Sequence, residues 1–412
     1  MAPRAAARRL DRVSQLMDLM GDPQRSYPVI HITGTNGKGS VARMVTALLA
    51  ARGLNVGTYT SPHLERLNER MAWSGEPIAD DALAEVIGAV AELEPMLESP
   101  PTYFEILTAA AFRWFADIAV DVAVVEVGLG GRWDATNVAD GQVAVVTNVA
   151  LDHAETIGPA LTDIATEKSG IVKPGATLVV AETDPELLAI FRAAGAAETW
   201  IRGSDFRCGA NRLAHDGRLV DLSTPGATYD DVYLPVHGSF QGDNAAVALA
   251  AAEAFFGAPL AQEVVAEAFA GLRLPGRLEV VSRHPLCVLD GAHNPAGAVA
   301  ATAALQETFG PAMRGRILVI GLLEGRDPDE MLRSFDAAGA RLVVACPPPS
   351  PRALAAATVA EAARALGVAT EEATSVSEAI ATALALAGPE ELVHVTGSLY
   401  VVGAARAALH SA

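Results

Sequence analysis

Short apolar runs alternate with longer amphipathic stretches along most of this chain. Positions 29–32, 120–127, 143–149 and 177–180 are strand-like in the first half, and 287–289, 317–320, 342–345 and 392–396 in the last third. Several are apolar along their whole length, as parallel strands covered on both faces must be. Between them, 40–52, 82–97, 298–309, 353–366 and 376–387 are alanine-rich with apolar residues at helical spacing. Strands alternating with helices predict an α/β fold with a mostly parallel sheet. Gly271, Pro275 and Gly276 interrupt the pattern after a long helical region and before a fresh strand–helix series. The chain is therefore expected to divide into a large N-terminal unit, 1–274, and a smaller one, 275–412.

Composition narrows the class without naming a chemistry. A hydrophobic fraction of 51% and a charged fraction of 19% suit a folded globular protein of 412 residues. The formal charge of −19 argues against a nucleic-acid partner, which needs a basic footprint. No apolar run reaches the roughly 18–20 residues of a membrane span. The basic start, 1–9, lacks a following apolar core, so no signal peptide is read there. Cys208, Cys287 and Cys346 show no metal-type spacing and read as free thiols. A soluble cytoplasmic protein is expected.

The densest chemical signal follows the first strand, at Gly34, Thr35, Asn36, Gly37, Lys38, Gly39 and Ser40. Glycines let successive N–H groups converge on an anion, and the helix start adds its positive dipole end. Lys38 would reach the outer phosphates of a nucleotide, and Ser40 a phosphate or its magnesium ion. The match to G-x-x-x-x-G-K-[ST] is imperfect, because Ile32 stands at the first glycine and Gly39 follows the lysine. A packing turn is the competing reading.

Two further strands end in polar groups. Glu126 closes the apolar run 120–127, where α/β sheets present ligand-binding residues. Burying it calls for a cation, either magnesium or a salt-bridge partner such as Arg132. His153 follows the run 143–149 and reads as a metal ligand or a capped core histidine. Lys168, taken alone, reads as a solvated surface lysine.

Together with residues 60–64, 70–78, 102–107, 126–137, 148–173, 275–280, 290–295 and 396–403, these segments resemble the folylpolyglutamate synthase/dihydrofolate synthase family, a branch of the Mur-type amino-acid ligases. The resemblance runs in family order over nearly the whole chain. It implies an N-terminal P-loop nucleotide-binding domain with a mostly parallel sheet and a smaller Rossmann-like C-terminal α/β domain, the glutamate-ligase domain. It also implies the reaction. ATP phosphorylates a carboxylate of dihydropteroate or folate, and the amino group of L-glutamate displaces phosphate from the acyl phosphate to form an amide.

Carried over by position, Gly34 to Ser40, with Asn244, Arg277 and Asp290, would hold ATP, and Lys38 would neutralise the triphosphate. Ser61, Glu126 and His153 match the family's magnesium ligands. Lys168 matches its carbamylated lysine, whose carbamate would serve a second magnesium ion; a monovalent cation also fits the family pattern. The pterin or folate site would involve Asp11, Arg12, Val13, Thr102, Tyr103, Phe104, Glu105, Arg132, Trp133 and Asp134. His293 and Ser398 match positions associated with glutamate. Trp133 departs from the smaller aliphatic residue usual there, and the approach to Asn244 from the commoner His-Gln form. The family's habit is monomeric. A cell-wall Mur ligase is the first competitor, but too few residues precede Lys38 for its extra substrate domain. A non-catalytic nucleotide-binding regulator is the second, and it would need a broken metal set.

Overall fold

The computed structural model describes residues 10–152 and 155–410. Val29–Thr33, buried at every position, is the hub of an eight-stranded sheet. The strands lie in the order Glu76–Pro77, Met71–Trp73, Val56–Tyr59, Val122–Glu126, Val29–Thr33, Gly141–Val146, Thr177–Val180 and Glu198–Ile201. All pairs are parallel except those made by Met71–Trp73 and the short edge strand Glu76–Pro77. The chain leaves Val29–Thr33 toward one side of the sheet and reaches Gly141–Val146 on the other. That reversal opens a crevice at the carboxyl ends of the strands.

Both faces are covered, which explains the uninterrupted apolar strands. On one face, Ile30, Ile32, Val124 and Val145 pack with helix Lys38–Ala51 and the almost wholly buried helix Phe240–Phe256. On the other, Val29, Ala123 and Val125 pack with helices Asp11–Leu19, Asp80–Ala91 and Tyr103–Asp117. Helix Asp80–Ala91 ends earlier than the periodicity predicts. Pro95 falls in a separate turn of 3-10 helix, Glu94–Met96.

A three-stranded antiparallel sheet, Arg207–Ala214, Gly217–Ser223 and Thr228–Leu234, packs Val220, Leu222 and Tyr229 onto the first of these cores. The sequence pattern did not predict it. A six-stranded sheet follows, in the order Glu279–Arg283, Leu286–Leu289, Leu392–Thr396, Ile317–Ile320, Leu342–Ala345 and Thr370–Glu372. It is parallel apart from its first strand, with apolar clusters on both faces. The expected α/β class, a mostly parallel sheet followed by a smaller Rossmann-like one, is what the chain forms.

Candidate active site

The glycine loop lies at the crevice, between Val29–Thr33 and helix Lys38–Ala51. Gly37 precedes the helix at φ 84, in the left-handed region that glycine enters without a Cβ penalty. A Cβ there would also lie 2.7 Å from Asn244 Oδ1 on the neighbouring helix. The end of strand Gly141–Val146 clamps the loop. Asn148 Oδ1 accepts from the N–H groups of Thr35 (3.2 Å) and Asn36 (2.8 Å), and Thr147 Oγ1 donates to the Asn36 carbonyl (2.6 Å). Lys38 Nζ donates to the carbonyls of Gly34 (3.0 Å) and Thr35 (3.2 Å), which hold the ammonium within the loop. Converging amides, a helix start and a lysine make an anion site.

Glu126 faces this loop. It is 4% exposed, and its Oε2 accepts the Ser61 N–H at 3.0 Å. Burial raises its pKa, while Lys38, Arg277 and Arg43 favour the carboxylate. Among the described residues no ion pair joins Arg132 to Glu126, and Arg132 is exposed. The salt-bridge alternative therefore gives way to a buried carboxylate among cations and beside a serine, a set of hard oxygen donors that fits magnesium. Lys168 is buried, 3% exposed, on helix Leu161–Ser169. Desolvation, then the nearby Lys38 charge, lowers its pKa to about 7. The surface-lysine reading is thus corrected, because the helix turns Lys168 inward. His153 lies outside the described residues.

Residues of the last third close the crevice. Asp290 accepts from the N–H groups of Leu278 (3.0 Å) and Ala292 (2.9 Å), tying the turn that carries Arg277. Its pKa is raised by burial and opposed by Arg277. His293 Nδ1 lies 3.0 Å from the Gly291 carbonyl, so Nδ1 carries the proton and Nε2 the lone pair. Burial lowers its pKa to about 4, leaving a neutral imidazole at pH 7. Asn294 caps helix Pro295–Phe309 and donates to Asn36 Oδ1 (3.0 Å) and Asp152 Oδ2 (3.2 Å). Arg326 pairs with Asp152 at 2.7 Å. The glycine loop, Ser61, Glu126, Lys168, Asn244, Arg277, Asp290 and His293 together line a cavity of about 330 Å³.

A second cavity of about 200 Å³ shares Leu129, Gly130 and Ile157 with the first. Its walls include Arg12, Thr102, Phe104, Glu105, Trp133 and Asp134. Glu105 caps its own helix through Thr102 and pairs with Arg12 at 3.1 Å. Asp134 accepts from Leu129 N (2.9 Å), Thr136 N (3.0 Å) and Thr136 Oγ1 (2.5 Å), while burial raises its pKa. Behind it, buried His31 contacts Thr136 Oγ1 at 2.9 Å.

Several expected site residues line neither cavity. Val13, expected at the substrate site, is fully buried with Leu16 and Met17 on the core face of its amphipathic helix. Ser398 is 2% exposed and accepts the Val401 N–H as a helix cap; its neighbour Leu399 lines the larger cavity. Asp11 is exposed, and Tyr103 is exposed with its ring under Arg70. The sequence reading missed Arg43, Asn148, Asp152 and Arg326. Asn148 follows an apolar strand and so carried a signal, whereas Arg326 sits in a loop with none.

The N-terminal part, residues 32–252, matches the Mur ligase middle domain, and residues 276–399 match the Mur ligase, glutamate ligase domain. The chain is 41% identical to the dihydrofolate synthase/folylpolyglutamate synthase of Mycobacterium tuberculosis over 79% of its own length and 72% of that protein. It is 36% identical to the folylpolyglutamate synthase of Lacticaseibacillus casei, over 97% and 94%. Among solved structures, a Mycobacterium tuberculosis folylpolyglutamate synthase complexed with ADP and AMPPCP superposes with a TM-score of 0.93 at 39% identity, covering 98% of this chain and 95% of that one. An Escherichia coli relative in complex with DHPP and ADP gives 0.87 at 32%, over 97% and 92%. A bifunctional folylpolyglutamate synthase/dihydrofolate synthase with Mn, AMPPNP and L-glutamate bound gives 0.85 at 31%, over 97% and 94%.

Proposed function

This chain belongs to the folylpolyglutamate synthase/dihydrofolate synthase family of Mur ligases and is an ATP-dependent ligase of glutamate, and we propose that it serves both dihydropteroate and folyl(poly)glutamate as acceptors. The observation that carries this reading is the adjoining pair of cavities. One is built on a phosphate loop, the other on Arg12, Phe104, Trp133 and three carboxylates, and they share Leu129, Gly130 and Ile157. A flat aromatic acid held in the smaller cavity would direct its carboxylate toward the γ-phosphate in the larger.

A carboxylate is a poor acyl donor because oxide would have to leave. In the first step a carboxylate oxygen attacks the γ-phosphorus, the bond to the β–γ bridging oxygen breaks, and ADP departs. Lys38 and the loop amides neutralise charge on the transferring phosphoryl group. Glutamate's amino nitrogen then attacks the acyl carbon, the C–O bond to phosphate breaks, and phosphate leaves with one carboxylate oxygen. The amine must shed a proton, which the departing phosphate can take up, and His293 on the cavity wall is the residue we assign to the incoming glutamate.

Magnesium fits the buried Glu126 carboxylate beside Ser61, with His153 as the remaining ligand we assign and Lys168 as the ligand of a second ion. When bound, it supplies charge neutralisation at the phosphates. Lys168 would bind that second ion as a carbamate, formed when the neutral amine attacks carbon dioxide and loses a proton. The low pKa of Lys168 supports that modification, and the second ion would use the new oxygens. Arg277 and Asp290 are assigned to the nucleotide together with Asn244. We take the chain to act as a cytoplasmic monomer with its working boundary near residue 275; no helix of the described residues is long and apolar enough to cross a membrane.

The test is glutamate-dependent phosphate release from ATP with dihydropteroate and, separately, a reduced folate. Release with both is expected. Release with one alone would reduce the protein to a single activity.

A further inference from the structure

Residues 61–66 join the active-site crevice to the last helix of the chain. Leu64, half-buried, packs on the apolar cluster of the six-stranded sheet that includes Val401, Val402 and Ala405, and not on the sheet from which its segment emerges. It sits between two glycines of the C-terminal part. A Cβ on Gly276 would lie 3.3 Å from both Leu64 methyl carbons, and a Cβ on Gly403 would overlap the Leu64 carbonyl oxygen. Next to this knob, Glu65 pairs with Arg406 on helix Leu399–His410, and Arg406 also pairs with Glu279 at 3.1 Å.

The segment is stiff. The Glu69 carboxylate accepts the backbone N–H groups of Leu64 (2.8 Å), Glu65 (2.9 Å) and Arg66 (2.8 Å), so displacement of Leu64 drags the whole turn. Three residues before the knob, Ser61 donates its N–H to Glu126 at 3.0 Å. A small crevice lined by Gly39, Ser61, Leu64, Glu126, Arg277 and Leu399 joins the phosphate loop to this segment. The route from helix Leu399–His410 to Ser61 through this segment is therefore short.

We propose that Leu64 is a positioning residue: seated in the Gly276/Gly403 socket, it fixes the 61–66 turn so that Ser61 and Glu126 meet the metal–nucleotide complex only when the C-terminal part is docked. Docking and metal binding are then one event. This rests on the reading of Ser61 and Glu126 as a metal site, and it assigns to Leu64 and Gly403 a role that no contact with substrate would give them. A leucine buried only for packing would lower stability when truncated without changing metal affinity.

The experiment is a manganese titration of the full-length protein with saturating ADP, following free ion by electron paramagnetic resonance, in the parent and in Leu64→Ala, Leu64→Met, Gly403→Ala and Ser61→Ala. Leu64→Met, which keeps an apolar side chain of similar volume, is the guard against misfolding, and Gly403→Ala forces the Leu64 carbonyl away. The expected result is a loss of manganese affinity of about tenfold in Leu64→Ala and Gly403→Ala, the scale seen when groups behind a metal ligand are removed, with Leu64→Met near the parent. ADP affinity without metal should stay unchanged in all of them. Parent-like manganese affinity in both Leu64→Ala and Gly403→Ala, with Ser61→Ala weakened, would overturn the coupling and leave the metal site standing. Parent-like affinity in Ser61→Ala would remove the site and the coupling together.

Discussion

At the scale of single residues, the site depends on polar groups held in apolar surroundings. Lys168 is the sharpest case, an amine at about 7 because burial and Lys38 both oppose its charge. Lys168→Ala should lose most glutamate-dependent turnover, and a short carboxylic acid added to the assay should restore part of it by supplying the missing oxygens. An alanine variant with parental turnover would return Lys168 to a packing role. Two histidines make a separate prediction about stability. His31 is held near 3 by burial and by Lys173, and His394 well below 6.5 by burial and Arg316. Folded-state pKa values below the unfolded value mean that the unfolded chain binds the extra protons. The stability they support is complete above about pH 6.5 and falls as pH drops toward 3, by about 1.4 kcal/mol per pH unit for each histidine. Urea unfolding between pH 7 and pH 4 should show that slope, and His394→Asn should flatten it.

At the scale of elements, legibility followed burial. Strands such as Val122–Glu126 and Ile317–Ile320 are apolar at nearly every position because helices cover both faces, and that pattern is readable from one sequence. The antiparallel strands Arg207–Ala214 and Thr228–Leu234 have one wetted face, and a register shift opposite Val220 and Leu222 breaks their alternation, so the apolar pattern predicts no strand there. In the site, the glycine loop and Glu126 were legible because each closes a buried strand. Arg326 and Asp152 were not, because their pairing exists only once the two large sheets meet. Val13 was carried over from the family resemblance, whereas its helical spacing with Leu16 and Met17 points to the core. The loop itself carries a prediction. Gly37→Ala would force an L-residue to φ 84 at about 1–2 kcal/mol and press a methyl group on Asn244. Nucleotide affinity measured by calorimetry should fall by about tenfold, since each 1.4 kcal/mol is a factor of ten. Unchanged affinity would mean that the loop does not set the phosphate site.

At the scale of the whole molecule, helix Pro295–Phe309 is the strut between the sheets. Its first turn is tied to Asn36 and Asp152 through Asn294, and its last turn to the three-stranded sheet through Glu307, which accepts two hydrogen bonds from buried Arg218 at 2.9 and 3.0 Å. Removing Arg218 would strand that carboxylate, although partial exposure lets water take up some of the charge. Arg218→Met should therefore cost about 1–2 kcal/mol, the scale of lost charged hydrogen bonds to a solvated carboxylate, read as a lower melting temperature. The larger cavity has walls from both large sheets, so ATP and acceptor together should compact the protein in X-ray scattering. All these parts serve one chemical claim, that the γ-phosphate goes to a carboxylate on its way to an amide. The direct measurement uses dihydropteroate labelled with oxygen-18 in its carboxylate, with ATP and glutamate. Inorganic phosphate carrying one labelled oxygen for each amide formed is the predicted result. Amide formed with wholly unlabelled phosphate would contradict the acyl-phosphate account.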